Sequence, residues 1–272
     1  MPIVKAEKIT YHFPNDRRAG ISDISFEAHE GEVSMILGGN ASGKSALVHL
    51  ISALALPEAG EISVCGLHPG EKTDLREIRK KCGVVLDDMR SRFFTDTPGE
   101  ELRFALRCAG LSAKTAGEKI NNIKTLTGLS AFEKIDFSDL GELALLKTAI
   151  AVCLVTEPEL IIFDNSASLL HGLEKEEFFA LIRKIAATGT AVVVTGSSCE
   201  DAVRADRVIV LCGGKKVGEG TAREILTDME LLKKADLEPP FAVKVYYDLL
   251  DAEVRLPEIP LTMDELVKEI CR

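Results

Sequence analysis

The chain has 272 residues, with 33 basic against 43 acidic side chains, a formal charge of −10 and an apolar fraction of 46%. That length suits one large domain with an appendage, or two small ones, and that apolar fraction fills a core, which excludes global disorder. The acidic balance argues against a protein that grips nucleic acid by neutralising phosphates along one face, so no nucleic-acid partner is expected, while a local cationic pocket stays open.

In chain order, the stretch up to about Gly31 reads as antiparallel β: residues alternate, and Pro14-Asn15-Asp16 carries turn chemistry. Val33–Leu37 is a short apolar run that stops at glycines, and Ser45–Leu56 follows with apolar residues at helical spacing. Gly83–Leu86 reads as a strand, Gly99–Cys108 and Ala113–Thr127 as helices, and Leu143–Val155 as a long apolar helix closed by Glu157-Pro158. Leu160–Phe163 is a strand ending at Asp164. Lys175–Ala187 is helical, and Ala191–Thr195 and Val208–Leu211 are strands. Gly213-Gly214 turns the last of these back into Lys216–Gly218. Buried strands alternating with helices predict an α/β fold around a largely parallel sheet. Past Thr221 the texture changes. Ala222–Lys234 predicts one amphipathic helix, Glu238-Pro239-Pro240 breaks it, and Val243–Leu250 and Met263–Ile270 follow on either side of Leu256–Pro260. About 50 residues hold no rich core alone, so this tail is expected to pack on the main domain or on another subunit.

The longest apolar runs, such as Ala149–Val155 and Ala191–Val194, have core-element length, short of the ~18–20 residues a spanning helix needs. MPIVKAEKIT at the start has no signal-peptide apolar region. A cytosolic chain is expected, with any membrane association through a partner. The seven cysteines are scattered without a C-x-x-C pair, which suits a reducing compartment, and most sit in apolar runs as small buried hydrophobes. The five histidines form no metal spacing, so no structural metal is expected.

The sharpest motif is Gly38-Gly39-Asn40-Ala41-Ser42-Gly43-Lys44-Ser45, which fits G-x-x-x-x-G-K-[ST] between a predicted strand and a predicted helix that Ala46 continues. Glycines let consecutive backbone N–H groups converge on phosphate oxygens, and the helix adds its positive N-terminal end. Lys44 reaches the β and γ phosphates, and the Ser45 hydroxyl ligates Mg²⁺. Ala41 stands where most such loops place a further glycine. Such a loop needs a second acidic Mg²⁺ site at the end of a buried strand, and Leu160-Ile161-Ile162-Phe163-Asp164 supplies it.

These residues resemble an ATP-binding cassette (ABC) ATPase over essentially the whole chain. The region of Phe13 resembles the aromatic that stacks on adenine. ISDISFEAHEGEVSMILGGNASGKSALVHLISALALPEAGEISVCG resembles a cassette's opening half, EPELIIFD its Walker B strand and ADRVIVLCGGKKVGEGTAREIL its closing hairpin. The tail is similar to the C-terminal extension of energy-coupling-factor (CbiO-like) transporter ATPases. The resemblance implies an α/β P-loop NTPase core with an N-terminal antiparallel β subdomain, a helical subdomain at about 88–156 and a small C-terminal helical extension. Residues 1–221 would form the nucleotide-binding domain and 222–272 the extension. It implies ATP and Mg²⁺ as cofactors, with Phe13 and Gly38 through Ala46 on the nucleotide and Ser45, Asp87 and Asp164 on the metal. It implies a second ABC ATPase subunit, an integral membrane coupling protein and a substrate-binding membrane component for a vitamin or metal ion, at the cytoplasmic face of the membrane.

The chain departs from that pattern at nearly every catalytic position. Asn165 stands where the family has the Glu that polarises water; an amide cannot take a proton, and losing a positioned base typically costs ~10²–10⁴-fold. Gly196 stands at the switch histidine, and Asp87 at the Q-loop glutamine. The family's L-S-G-G-Q aligns with Leu140-Gly141-Glu142-Leu143-Ala144, where Glu142 puts a carboxylate near the phosphate position and Leu143 blocks backbone approach. The D-loop aspartate aligns with His171. The segment Arg90–Leu106, with Phe93, Phe94 and Phe104 and the acids Glu100 and Glu101, is expected to receive a helix of the coupling protein. A chain that binds ATP but hydrolyses it weakly or not at all is the first reading; a nucleotide-dependent regulator or scaffold without a transporter is the second.

Overall fold

The computed structural model describes residues 1–86, 89–111 and 113–271. The chain opens on a hairpin, β1 (Pro2–Phe13) and β2 (Asp16–His29), turned at Pro14-Asn15, with Phe13 paired to Asp16. With β4 (Ala59–Val64) these form a three-stranded antiparallel sheet in the order β2-β1-β4. The second sheet runs β5 (Cys82–Val85), β6 (Leu160–Phe163), β7 (Ala191–Gly196), β3 (Val33–Leu37), β8 (Arg207–Cys212), β9 (Lys215–Gly220). Its first five strands are parallel, and β9 returns antiparallel to β8 through Gly213-Gly214, both at positive φ. β3, β6 and β7 are buried at every residue, as parallel strands covered on both faces must be.

Period-two alternation sorts these strands between two cores. Met35, Leu37, Ile161, Phe163, Val192, Val194, Val208 and Val210 face a cluster with α5 (Glu142–Leu154), α6 (Leu173–Ala186) and α7 (Cys199–Ala202). Ile36, Leu160, Ile162, Val193, Ile209 and Leu211 face the opposite cluster, with α1 (Lys44–Ile51) and the antiparallel sheet. A third, smaller cluster of Leu102, Leu106, Ile123, Leu129, Ala151 and Val155 joins α3 (Pro98–Cys108), α4 (Ala113–Thr127) and α5.

Two helices differ from the sequence expectation in their extent, and a third has no counterpart in it. The helix expected over Ser45–Leu56 stops at Ile51, because Ala53 takes φ +55 and the amides of Leu54 and Ala55 both donate to His49 O. The single helix expected over Ala222–Lys234 is two, α8 (Ala222–Leu226) and α9 (Met229–Lys234). Asp228 restarts it by accepting from the Leu231 amide. Periodicity gives no signal for α2 (Lys72–Lys81), since it buries only Ile78 of its ten residues. The tail closes with α10 (Phe241–Asp251) and α11 (Met263–Ile270). Its Leu232, Leu237, Val243 and Leu261 belong to the same buried cluster as the central sheet.

Candidate functional site

The loop from Gly38 to Ser45 joins β3 to α1 at the carboxyl ends of the parallel strands. Its start is fixed by the Gly38 amide, which donates to Gly196 O at 3.1 Å, and its far side by the Gly214 amide on Ser42 O at 3.1 Å. Gly43 sits at φ +107, and a Cβ there would come within 2.6 Å of Ile21 Cγ2. Ala41 takes φ +59, so the loop keeps the left-handed turn that a glycine normally supplies, at a cost of ~1–2 kcal/mol. Lys44 Nζ turns back onto Gly38 O and Gly39 O, each at 2.7 Å, so loop carbonyls take the place that anionic oxygens fit. Burial lowers the Lys44 ammonium from its ordinary value, and the charge of Asp164 opposes that shift.

Phe13 and residues Ala41 through Ala46 line one cleft of about 110 Å³, with Phe13 held edge-on by Tyr11 and His49. Gly39 and Asn40 form the loop's other limb, with Asn40 exposed. Asp164 follows β6 directly. Ser45 and Asp164 supply the hard oxygen donors that Mg²⁺ takes, so this set, with the Lys44 ammonium, fits Mg-ATP. Asp87 lies outside the described residues.

Asn165 occupies φ +53, its backbone amide donating to Thr195 Oγ1 at 2.9 Å, and the Thr195 hydroxyl in turn donates to Asp164 Oδ1 at 2.7 Å. Gly196 is buried, and a Cβ there would lie 2.8 Å from Met35 Cε. No sequence motif pointed to Thr195; the readable signal was a hydroxyl at the end of an otherwise aliphatic buried strand.

Leu140, Gly141 and Glu142 lead into α5, with Glu142 as its first residue. Arg90 grips this turn: its guanidinium donates to Phe137 O and Leu140 O, both at 2.6 Å, and lies 3.6 Å from Glu142 Oε1. Leu143 packs partly against the main core. His171 is exposed, flanked by Leu169 and by Leu173, which is 86% exposed.

Away from this site, a groove of about 700 Å³ is lined by Phe94, Phe104, Val152 and Val155, with Arg79 and Lys119 among its polar residues. Phe93 instead stacks on Phe137, ring centroids 4.1 Å apart. Glu101, expected as a free docking carboxylate, is buried. Its Oε2 accepts from the Phe94 and Thr95 amides and from the Thr95 hydroxyl at 2.9–3.0 Å, so it organises the loop rather than offering charge outward.

Residues 21–168 match the family model described as ABC transporter. The chain is 30% identical over 270 residues to the energy-coupling factor transporter ATP-binding protein EcfA1 of Bacillus subtilis (strain 168), covering 98% of this chain and 96% of that one. It is 27% identical to EcfA1 of Clostridium perfringens (strain 13 / Type A), over 99% of this chain and 98% of the relative. Among solved structures, cbiO1 from Clostridium perfringens, described as part of the ABC transporter complex cbiONQ, superposes with TM-score 0.78 at 22% identity over 86% of this chain and 94% of its own. The ATP-binding cassette MJ0796, bound to ADP and Pi as a dimer, superposes with TM-score 0.69 at 23% identity over 81% of this chain and 99% of its own.

Proposed function

We propose, from the premise that this chain belongs to the ABC transporter family of ATPases, that it is the ATP-binding subunit of an energy-coupling-factor transporter. It would bind Mg-ATP, hydrolyse it weakly or not at all, and serve uptake of a micronutrient, a vitamin or a metal ion. The observation that carries ATP binding is the intact set of Lys44, Ser45 and Asp164 around a loop whose ammonium already rests on oxygens. Phe13 would face the adenine, and Gly38 through Ala46 the phosphates. Ser45 and Asp164 would hold the metal, with Asp87 as a third oxygen donor. Bound Mg²⁺ supplies neutralisation of phosphate charge.

Weak hydrolysis is inferred from the groups that the chain does not present. The Asn165 amide takes no proton, Gly196 has no imidazole to meet a γ-phosphate, and Glu142 sets a carboxylate at the α5 N-terminus, where a partner's phosphate would sit. A carboxylate in a helix's first turn already satisfies the dipole that would otherwise attract that phosphate. Residues 1–221 would act as the nucleotide-binding domain, with a helical subdomain at about 88–156, and 222–272 as an extension. The partners would be a second ABC ATPase subunit, an integral coupling protein seated in the groove beside Phe94 and Phe104, and a substrate-binding membrane component, all at the cytoplasmic face of the membrane. No helix among the described residues is long and apolar enough to cross a membrane.

One observation favours the second reading, a regulator or scaffold: Asn165 and Gly196 alter this chain's own site while Glu142 and Leu143 alter the surface offered to a partner's. Co-purification with a membrane coupling protein separates the two readings. ATP binding itself is tested by calorimetry with Mg²⁺. Lys44→Ala is expected to weaken affinity at least tenfold, ~1.4 kcal/mol, and equal affinities in the two proteins would refute it.

A further inference from the structure

The last two residues of β7 hold both halves of the nucleotide site in register. The Gly196 carbonyl receives the Gly38 amide at 3.1 Å and so fixes where the phosphate loop begins. Thr195, 1% exposed, ends a strand that is otherwise aliphatic, and its hydroxyl faces the Walker B side. A hydroxyl has one proton to give and lone pairs to receive with. Here its direction is fixed by its partners: the Asn165 backbone amide donates to Thr195 Oγ1 at 2.9 Å, so the hydroxyl proton goes to Asp164 Oδ1 at 2.7 Å. Hydrogen bonds in series polarise one another, and one ending on a carboxylate is of the stronger, charge-assisted kind.

We infer that Thr195 is the positioning residue for the metal-binding carboxylate, holding Asp164 by one oxygen so that its other oxygen is presented to Mg²⁺ in a fixed orientation. This rests on the Mg-ATP reading above. Two features of the chain make the role specific. Asp164 and Asn165 are adjacent, with Asn165 in the left-handed region at φ +53; the Thr195 oxygen ties down the Asn165 backbone amide while the Thr195 proton ties down the carboxylate. β7 also lies between β6 and β3 in the sheet, so it is the strand that links the Asp164 end to the phosphate-loop end. Losing the hydroxyl frees the carboxylate to rotate and leaves the half-buried Asn165 backbone amide without its acceptor. Partners that orient a metal ligand are typically worth 10–100-fold in metal affinity.

The alternative role, plain satisfaction of a buried strand end, predicts a different pattern. Thr195→Val keeps the shape and removes the hydroxyl, Thr195→Ser restores a hydroxyl, and Thr195→Ala deletes it without steric demand should the valine variant fold poorly. The readouts are the affinity for a fluorescent ATP analogue in EDTA and across a Mg²⁺ series, Mn²⁺ bound in the presence of ATP by electron paramagnetic resonance, and the melting temperature. The expected result is an affinity in EDTA within twofold of wild type for the valine and alanine variants, a Mg²⁺ half-saturation raised about tenfold, a matching loss of bound Mn²⁺, and recovery in the serine variant. An unchanged Mg²⁺ half-saturation beside metal-dependent wild-type binding overturns this inference alone. Equal losses in EDTA and in Mg²⁺ also overturn it, in favour of a merely structural hydroxyl. A wild type that binds no nucleotide overturns the Mg-ATP reading and this inference with it.

Discussion

Asn165 stands at φ +53, and asparagine is among the few residues that enter the left-handed region readily. In the proposed reading, the residue that replaces the general base is thus also one that suits this backbone. A glutamate there would carry the base but strain the turn by ~1 kcal/mol or more. Gly196 has a comparable constraint. A side chain there must displace the Met35 methyl, 2.8 Å from the Cβ position, which a flexible thioether permits at a packing cost. The purified chain is therefore expected to release no phosphate above a Lys44→Ala control. Asn165→Glu alone is expected to restore none, since Gly196 still lacks an imidazole and Glu142 and Leu143 still replace the signature residues opposite. The missing groups act as a unit, so their costs do not add. Turnover near ~1–10 s⁻¹, abolished by Lys44→Ala, would mean that other residues compensate.

Among the elements, α11 shows how a short helix is held. Thr262 caps it by accepting from the Glu265 amide. The Glu265 carboxylate meets both Arg223 nitrogen Nη2, at 2.9–3.0 Å, and the Leu261 amide at 2.8 Å. Burial pushes the Glu265 pKa up, but the Leu261 amide and the Arg223 guanidinium outweigh it, leaving it below the ordinary carboxylate value. A carboxylate depressed on folding stabilises fully above its unfolded pKa, and that contribution is lost as pH falls through the folded one. Acidification from pH 7 to below about 4 should thus loosen α11. Glu265→Gln should loosen it already at pH 7, by at most about fivefold in amide exchange, because the pair is partly exposed. Exchange over 261–270, corrected for intrinsic rates, checks this; a glutamine variant as protected as wild type at pH 7 would show the pair to be idle. At the boundary between α8 and α9, Asp228 reads as a helix residue in a periodic stretch, and only its bond to the Leu231 amide makes it a cap.

For the whole molecule, the tail has two faces. One contributes Leu232, Leu237, Val243 and Leu261 to the central core, so removing 222–272 would open that core and confuse any test of association. The other leaves Met263, Val267 and Ile270 about half exposed at spacings of four and three along α11, a single stripe. Val267→Asp with Ile270→Asp is expected to weaken pairing with the natural partner ATPase at least tenfold while the melting temperature holds, read by sedimentation; unchanged pairing would assign the stripe no role in it. The phosphate loop, the Walker B strand and the α/β architecture are legible in the order of residues alone, because those signals are local: eight consecutive residues between a strand and a helix, and apolar runs of strand length. Asn165 and Gly196, on which the proposal of weak turnover rests, are legible there too, since a residue's identity needs no coordinates. The folded chain alone reveals that Thr195 donates to Asp164, 31 residues away, that Arg90 grips the turn before Glu142, and that Glu101 points inward. The first two pairings arise from parallel-strand register and helix docking, which bring residues 31 and 50 positions apart into contact, and the third from a local loop that folds back on its own helix; a linear pattern of polarity carries no record of which hydroxyl, guanidinium or carboxylate will meet which partner.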